Sequence, residues 1–277
     1  MGTLIAVEEK DDYAVVRLNR PEKKNAMNRA ARRELLDAFA AQRDRYKVVV
    51  LTGTDDSFCS GVDLKETRTD AKDGTPPDPS SDWIEVTLAI REHPAIFIAA
   101  VNGIALGGGA TLISMCDLAI ATHEAEIGMP EIGFAAYPQF SGPGVQIQLT
   151  SKRAAWLVLT AERITGATAE AWGLVNRAVP RAALMMEAEA LAGRVARFDA
   201  TALTECKRAL EAIPQRISEW RAAFEYGIDA NARIRNAGNA QQQGFARFES
   251  GLRNPGQGKS CQRQRSKLQL SPKQQAL

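Results

Sequence analysis

The stretch that begins Ala95-Ile96-Phe97-Ile98-Ala99-Ala100-Val101 and ends Ala105-Leu106-Gly107-Gly108-Gly109 joins an apolar run to a glycine triplet. The apolar run is typical of a buried strand, and the glycines predict a tight turn that opens a helix over about residues 108–116. A further strand is predicted over 118–122. Because strand, helix and strand follow one another, this stretch predicts an α/β domain.

The same order of elements precedes this stretch. A strand is predicted from Tyr13 to Asn19, and a second one over 47–52. Between them, apolar residues at helical spacing predict a helix over about 29–43, with Asn28 as its N-cap. After Pro180 the pattern is almost wholly helical. The helices predicted there lie near 181–197, 201–212, 216–235 and 239–249.

Two polar segments predict irregular structure. Residues 67–82 are too polar to bury enough apolar area to order themselves, so we expect a mobile loop there that could act as a lid. A helical pattern over 84–92 follows it. Residues 259–277 are rich in Gln, Lys, Arg and Ser and lack a hydrophobic pattern, so they are interpreted as a disordered tail.

The composition is that of an ordinary globular protein of 277 residues, with a net charge of +2 that gives no reason to expect nucleic-acid binding. Four cysteines without CxxC spacing, and no signal peptide, favour free thiols in a reducing cytoplasm. With only two histidines, no zinc site is expected. Residues 95–116 carry no charge, but four glycines and Asn102 favour a strand, a turn and a buried helix over a membrane span.

Two glycine-containing turns suggest a site for negative charge. Glycine lets a backbone approach a ligand closely, and a helix that starts at Gly108 would present free N–H groups to an anion. The segment Phe58-Cys59-Ser60-Gly61-Val62-Asp63-Leu64-Lys65-Glu66 follows another apolar run. Two such turns can aim peptide N–H groups at one developing oxyanion. The alternatives are tight packing of the first turn and, for the second, a solvated turn into a helix capped by Asp63.

Two side chains are candidates for catalysis. Glu131 lies in Gly128-Met129-Pro130-Glu131-Ile132-Gly133, where apolar neighbours would raise the pKa of its carboxyl and make it a proton carrier near neutral pH. The alternative is an ordinary surface glutamate after a turn. Cys59 could be a nucleophile, but no histidine is near it in sequence, so a buried structural thiol is favoured.

Several motifs, taken in order, resemble the crotonase, or enoyl-CoA hydratase/isomerase, superfamily, over roughly residues 5–258. The motifs are Asn19-Arg20-Pro21 with Asn25-Ala26-Met27, the 58–66 segment, Ala100-Val101-Asn102-Gly103 with Ala105-Leu106-Gly107-Gly108-Gly109, Cys116-Asp117-Leu118-Ala119-Ile120-Ala121, Met129-Pro130-Glu131-Ile132-Gly133, Ala161-Glu162-Arg163-Ile164-Thr165-Gly166-Ala167, Ala171-Trp172-Gly173-Leu174-Val175-Asn176 and Gln243-Gly244-Phe245-Ala246-Arg247-Phe248.

The resemblance implies a spiral of ββα units and a C-terminal helical trimerisation region. It divides the chain into an acyl-CoA-binding core over 1–195, a helical oligomerisation region over 196–258 and the tail. It implies a homotrimer or a dimer of trimers that acts on an acyl-CoA. No membrane or nucleic acid is expected as a partner. Coenzyme A is part of the substrate, and no separate cofactor or metal is expected.

The resemblance also assigns roles to residues. It implies that the N–H groups of Val62 and Gly108 stabilise a thioester enolate. It places the CoA moiety along Lys24, Ala26, Ser60, Gly61, Val62, Asp63, Leu64 and Lys65, although the two lysines could equally be ordinary solvated side chains. Tyr137, Gln139 and Phe140 are expected to line the acyl pocket, with Trp83 as another possible wall, unless these side chains only pack the core.

The two-glutamate pattern of typical hydratases is not kept. One glutamate corresponds to Glu131, and the other corresponds to Thr111, which can orient water but cannot act as a base near neutral pH. Two reactions fit: hydration or dehydration by a hydratase-lyase, and double-bond migration by a single-carboxylate isomerase. The alternatives from other classes are a CoA-binding protein with little catalysis and an RNA binder that uses Arg263, Arg265 and Lys267 of the tail.

Overall fold

The computed structural model describes residues 3–73, 81–215, 220–236 and 240–251. The strands are β1 (Ile5–Glu9), β2 (Ala14–Leu18), β3 (Val48–Gly53), β4 (Ser57–Cys59), β5 (Ile96–Val101), β6 (Ile104–Leu106), β7 (Leu118–Thr122), β8 (Glu126–Gly128), β9 (Ile164–Thr165) and β10 (Arg177–Val179). The helices are α1 (Arg29–Gln42), α2 (Leu64–Lys72), α3 (Ser81–Arg91), α4 (Gly108–Met115), α5 (Ser141–Gln148), α6 (Ser151–Thr160), α7 (Gly166–Trp172), α8 (Leu184–Ala196), α9 (Ala200–Gln215), α10 (Trp220–Asn236) and α11 (Ala240–Glu249).

The strands form two sheets that together give an α/β fold. The larger sheet has the order β1-β2-β3-β5-β7-β10, and all its neighbouring strands are parallel except β1 and β2. The smaller sheet has the order β4-β6-β8-β9, with β4, β6 and β8 parallel. The crossovers between parallel strands carry the helices, as parallel pairing requires.

Both faces of the larger sheet are covered. The central strands β3 and β5 are buried throughout, which explains why they consist almost entirely of apolar residues. Phe39 of α1 packs edge-on against Phe97 of β5, with ring centroids 5.0 Å apart. On the other face, α8 buries Leu184 and a row of alanines against the same strands. This double cover makes the sheet a rigid support for the loops at its edge.

Several predicted elements are confirmed with small changes at their ends. The helix α1 begins after Asn28, whose side chain accepts a hydrogen bond from the Ala31 N–H, and β7 has the predicted bounds. In the C-terminal third, α8 to α11 take the places of the four predicted helices. The tail over 259–277 lies outside the described residues.

The prediction of a loop over 67–82 is wrong for its first and last parts. Residues 67–72 belong to α2, which begins after Asp63 and is capped by it, and Ser81 and Asp82 already belong to α3. A polar composition does not prevent a helix when an N-cap and a packed neighbour support it. Residues 74–80 lie outside the described part of the chain.

Two buried asparagines fix the loops that lead to the smaller sheet. The Asn25 Nδ2 donates to the carbonyl oxygens of Thr54 and Ser57, at 3.1 and 2.7 Å. The Asn102 side chain accepts from the Gly53 N–H at 3.1 Å and donates to the Ser57 carbonyl at 3.2 Å. Because both amides bind the start of β4, this strand is held beside β6, and the turns that follow the two strands come together.

Candidate functional site

The turns after β4 and β6 meet at Gly61 and Gly108. Gly61 has a φ of +94°, which favours glycine, and a Cβ placed on it would lie 2.8 Å from the Leu106 carbonyl oxygen and 3.2 Å from the Gly108 nitrogen. The parallel pairing of Cys59 with Ala105 brings the two turns to this distance. Two segments that are distant in sequence therefore form one backbone surface.

The Val62 and Gly108 N–H groups are the donors on this surface. Neither of them donates to an acceptor within the described part of the chain. Their neighbours do: the Asp63 N–H binds the Met27 carbonyl at 3.2 Å, and the Gly107 N–H binds the Gly128 carbonyl at 3.0 Å. Gly108 is also the first residue of α4, so the positive end of the helix dipole lies here. The pair can stabilise a negatively charged oxygen.

Glu131 places a carboxyl group next to this surface. It lies in a 3₁₀ helix over Pro130–Phe134, directly after β8. A Cβ placed on Gly107, whose φ is +51°, would lie 2.8 Å from the Glu131 Oε1. The residue keeps some exposed surface, but its Oε2 is buried and has no hydrogen-bond partner among the described residues. The carboxyl group is thus close to the proposed oxyanion donors and removed from water.

Burial changes the acidity of this carboxyl group. It raises the pKa of Glu131 to about 7, against a smaller opposing effect of the residue's own backbone N–H. A carboxyl group with this pKa is present in both protonation states near neutral pH. It can therefore accept and return a proton within one catalytic cycle.

Thr111 lies on the first turn of α4 and is fully buried. Its Oγ1 donates a hydrogen bond to the Gly107 carbonyl oxygen at 3.3 Å. The hydroxyl proton is therefore committed to the backbone, while the lone pairs of the same oxygen can still accept a hydrogen bond.

The residues expected along the CoA path form two adjacent turns. The Ser60 N–H donates to the Lys24 carbonyl at 3.0 Å, and the Met27 N–H donates to the Gly61 carbonyl at 2.8 Å. Ala26 is buried between these contacts, whereas the Lys24 side chain is exposed. The structure thus brings the 24–27 and 60–63 turns together, with an exposed ammonium group at one end.

The next residues of that path begin α2. The Asp63 side chain accepts hydrogen bonds from the Lys65 N–H at 3.0 Å and from Arg20 at 2.7 Å. Burial acts to raise the pKa of Asp63, but the Arg20 and backbone hydrogen bonds outweigh it and leave the pKa lowered. The Asp63 side chain therefore caps α2, as expected from the alternative in which this segment is a turn into a helix capped by Asp63. Leu64 starts the helix, and the Lys65 side chain is exposed.

The residues expected in the acyl pocket divide into two groups. Trp83 and Phe140 stack with ring centroids 6.3 Å apart, and a Cβ placed on Gly108 would lie 2.5 Å from the Trp83 Cζ2, so this pair adjoins the proposed donors. Tyr137 is held by contacts with α5 and α10: its hydroxyl accepts a hydrogen bond from Gln146, and its backbone N–H and C=O both bind Asn231. Gln139 also binds the Asn231 side chain.

Cys59 supports the site without providing a nucleophile. Its sulfur accepts a hydrogen bond from the Gly61 N–H at 3.4 Å, and burial raises the pKa of its thiol to about 12. A thiol with this pKa is not ionised at neutral pH.

Two contributors to the site were missed by the sequence analysis. Gly107 leaves room for the Glu131 carboxyl group because it has no Cβ, its φ of +51° also favours glycine, and the glycine triplet was the available signal. Asn231 binds the 137–139 loop from α10, and no pattern in the sequence indicates this contact. Within the described residues, no cluster of metal-ligating side chains and no helix long and apolar enough to cross a membrane is found.

Comparisons with known proteins show which family this chain resembles. Residues 8–248 match the family model described as enoyl-CoA hydratase/isomerase. A probable enoyl-CoA hydratase from Rhizobium meliloti is 36% identical over 211 residues, which cover 74% of this chain and 80% of that protein. The hydroxycinnamoyl-CoA hydratase-lyase of Pseudomonas fluorescens is 29% identical over 255 residues, covering 88% and 91%. The crystal structure of an enoyl-CoA hydratase/isomerase from Xanthobacter autotrophicus Py2 superposes with a TM-score of 0.81 at 28% identity, covering 91% of this chain and 96% of that one.

Proposed function

This chain belongs to the enoyl-CoA hydratase/isomerase family and has the crotonase fold, and we propose that it is a hydratase-like lyase that adds water to an enoyl-CoA or removes it from the hydrated product. The observation that carries the proposal is that two backbone N–H groups without an acceptor among the described residues lie next to a carboxyl group whose Oε2 is buried. The reaction needs both parts, because an enolate must be stabilised while a proton is moved.

The thioester carbonyl oxygen binds the Val62 and Gly108 N–H groups in this proposal. Negative charge develops on that oxygen when a nucleophile attacks C3 of the enoyl group, and the fixed donors stabilise it without reorganisation. Loss of one such donor typically lowers the rate by about 10²–10³. Because both donors belong to the backbone, side-chain substitutions at Val62 test them poorly, and Gly61 is the informative position.

Glu131 moves the proton. As water attacks C3, the Glu131 carboxylate takes one proton from it, so that the hydroxyl group stays on C3 and the electron pair of the double bond enters the enolate. The protonated Glu131 then gives that proton to C2, and the enolate returns to a thioester. The lone pairs of the Thr111 hydroxyl orient the water by accepting a hydrogen bond, because its own proton is held by Gly107.

A Δ3,Δ2-enoyl-CoA isomerase is the second candidate, and one observation favours it. Asp63 serves as a helix cap, so among the described residues of the site Glu131 is the one carboxyl group left for proton transfer, and the Thr111 proton is committed to the backbone. In this reaction Glu131 removes a proton from C2 of a 3-enoyl-CoA, the donors hold the dienolate, and the same proton returns to C4. Water takes no part, so no second carboxyl group is needed.

The two reactions differ in the mass of the product. Purified protein is incubated with crotonyl-CoA and, separately, with a 3-enoyl-CoA, and the products are followed by mass spectrometry. A gain of water from crotonyl-CoA supports the lyase. Unchanged mass with altered retention, from the 3-enoyl-CoA alone, would replace it by the isomerase.

The same assay tests Glu131. The Glu131→Gln variant should lose activity by orders of magnitude in either reaction, because an amide cannot carry the proton. Glu124→Gln is the matched control, since Glu124 is an exposed glutamate shortly before the same 3₁₀ helix. Equal turnover by Glu131→Gln and the control would refute the assignment. Tight CoA binding without turnover of any thioester would favour a binding protein.

The remaining parts of the proposal concern assembly and location. We propose that the chain assembles into a homotrimer or a dimer of trimers in the cytoplasm, with an acyl-CoA as its substrate and no separate cofactor. Exposed apolar side chains on α5 and α6, among them Ile147, Trp156 and Leu159, support self-association. Light scattering after size-exclusion chromatography measures the number of subunits, and a monomer at micromolar concentration would contradict the proposal.

A further inference from the structure

The Trp83 side chain carries a hydrogen-bond donor that the mechanism above does not use. The residue is 4% exposed, and its Nε1 is buried without a hydrogen-bond partner among the described residues. A buried indole N–H usually finds an acceptor, and leaving it unpaired costs free energy. Most buried polar groups among the described residues have a hydrogen-bond partner, so the unpaired Trp83 N–H requires an explanation.

The position of this donor is close to the proposed oxyanion site. A Cβ placed on Gly108 would lie 2.5 and 2.6 Å from the Trp83 Cζ2 and Cη2. Nε1 is two covalent bonds from Cζ2, so the N–H lies within a few ångströms of the backbone that would hold the thioester. The indole is fixed there by stacking on Phe140, which in turn contacts Phe224 of α10.

A second buried polar group without a partner is next to this aromatic pair in the sequence. Ser141, which follows Phe140 in the chain, has a buried Oγ without a partner among the described residues. An acyl pocket for plain hydrocarbon chains would have no use for an unpaired indole N–H on its wall, because that group is left without water and without a bond. The wall therefore suits an acyl group that carries a polar atom.

The charge of that atom follows from Glu131. The Glu131 carboxyl group lies against Gly107, next to the residue that Trp83 covers, and no charged side chain contributes to its environment within the described residues. An anionic group on the acyl chain would be repelled by the ionised form of this carboxyl. Since an indole N–H only donates, its partner must be an acceptor. A neutral oxygen satisfies both conditions.

We propose that Trp83 is a specificity-determining residue whose indole N–H donates to a neutral hydroxyl or keto oxygen on the acyl chain, close to the thioester. This inference rests on the proposed function, because it assumes an acyl-CoA at the Val62 and Gly108 donors. An enzyme site built to hydrogen-bond its substrate discriminates strongly against an analogue that lacks the polar group.

The test compares pairs of 2-enoyl-CoA thioesters in which a terminal methyl group is replaced by a hydroxyl group, at several short chain lengths. The two members of a pair have the same number of non-hydrogen atoms, so size does not distinguish them. We expect kcat/KM to favour the hydroxylated member by about tenfold to a hundredfold for at least one length. Equal values for both members at every length would overturn the inference.

The Trp83→Phe variant removes the N–H and keeps an aromatic ring. It should abolish the preference by lowering kcat/KM much more for the hydroxylated member than for the other. Trp156→Phe, at a half-exposed position on α6, is the control and should keep the preference. If Trp83→Phe lowers both members equally, the indole is a structural wall or a third donor to the thioester, and the inference is wrong.

A binding measurement separates this inference from the proposed reaction. Calorimetry with saturated acyl-CoA pairs, one hydroxylated and one not, reports the same hydrogen bond without any turnover. If no enoyl-CoA is converted but the hydroxylated ligand binds more tightly and loses this advantage in Trp83→Phe, the proposed reaction fails and the inference stands. If enoyl-CoA is converted but neither assay shows a preference for the hydroxylated ligand, the proposed reaction stands and the inference fails.

Discussion

The Glu131→Gln substitution should change the pH dependence of folding stability as well as catalysis. In the folded protein, burial raises the pKa of the Glu131 carboxyl to about 7, whereas its ordinary value is 4.5. The folded state therefore binds more protons than the unfolded state between these two pH values. By linkage, the free energy of unfolding falls as the pH rises through this window.

The magnitude follows from the difference between the two pKa values. Each pKa unit corresponds to about 1.4 kcal/mol, so ionising Glu131 in the folded state costs at most about 3 kcal/mol above pH 7. The full stability contribution is present below pH 4.5, where the carboxyl group is protonated in both states. Glutamine has nearly the same shape and never ionises, so the variant is free of this cost.

Urea unfolding of wild type and Glu131→Gln at several pH values between 5 and 8 measures the effect. The difference in unfolding free energy between the two should grow with pH in favour of the variant, by about 2–3 kcal/mol across the range. Glu124→Gln, which replaces an exposed carboxyl group, should show a difference that does not change with pH. Comparison at one fixed protein concentration removes the contribution of assembly.

A pH-independent difference between wild type and Glu131→Gln would refute the reasoning. It would mean that the carboxyl group reaches water or a cation in the folded protein. An increase in the opposite direction, with the variant losing stability as the pH rises, would indicate that ionised Glu131 is stabilised by a partner.

Three further predictions concern the site. Gly61→Ala should lower kcat by about 10²–10³, because the added Cβ would lie 3.2 Å from the Gly108 nitrogen. Gly173→Ala is the control, since Gly173 also has a positive φ but has no neighbour within 4 Å of the added Cβ. It should lower stability and leave kcat unchanged. The kcat/KM for hydration of an enoyl-CoA should fall as the pH drops below about 7, the pKa of Glu131, because the free enzyme needs the carboxylate. A kcat/KM that stays constant between pH 5 and 8 would exclude Glu131 as the base. Asn231→Leu should release the 137–139 loop, with a KM for acyl-CoA raised severalfold and a lowered Tm, and unchanged values of both would show that this loop does not shape the site.

Local patterns in the sequence determined much of the architecture. Strands β3 and β5 are buried on both faces, so their residues do not alternate between apolar and polar. A continuous apolar run is therefore enough to recognise each strand in the sequence. The Asn28 cap fixed the start of α1 because capping depends on residues within one turn. The short strands β4, β6 and β8 were not predicted, since three residues carry too little periodicity and are stabilised by pairing with distant segments.

The error in residues 67–72 has a similar cause. Their polar composition indicated a loop, but α2 begins at the Asp63 cap, and Arg20 from another part of the chain holds that cap in place. Sequence composition reports the average cost of ordering a segment. It does not report the tertiary contact that offsets this cost.

The candidate site divides in the same way. The sequence alone indicated most of the candidate residues: the glycines that permit the turns, Glu131, and Thr111 in place of a second carboxyl group. Only the tertiary structure decided that the turns of Val62 and Gly108 meet, that the Glu131 carboxyl is withdrawn from water, and that, among the described residues, the Val62, Gly108 and Trp83 N–H groups have no acceptor. The physical reason is that residue type sets what a group can do, whereas its hydrogen-bond partners and its pKa are set by atoms that the fold brings from elsewhere in the chain.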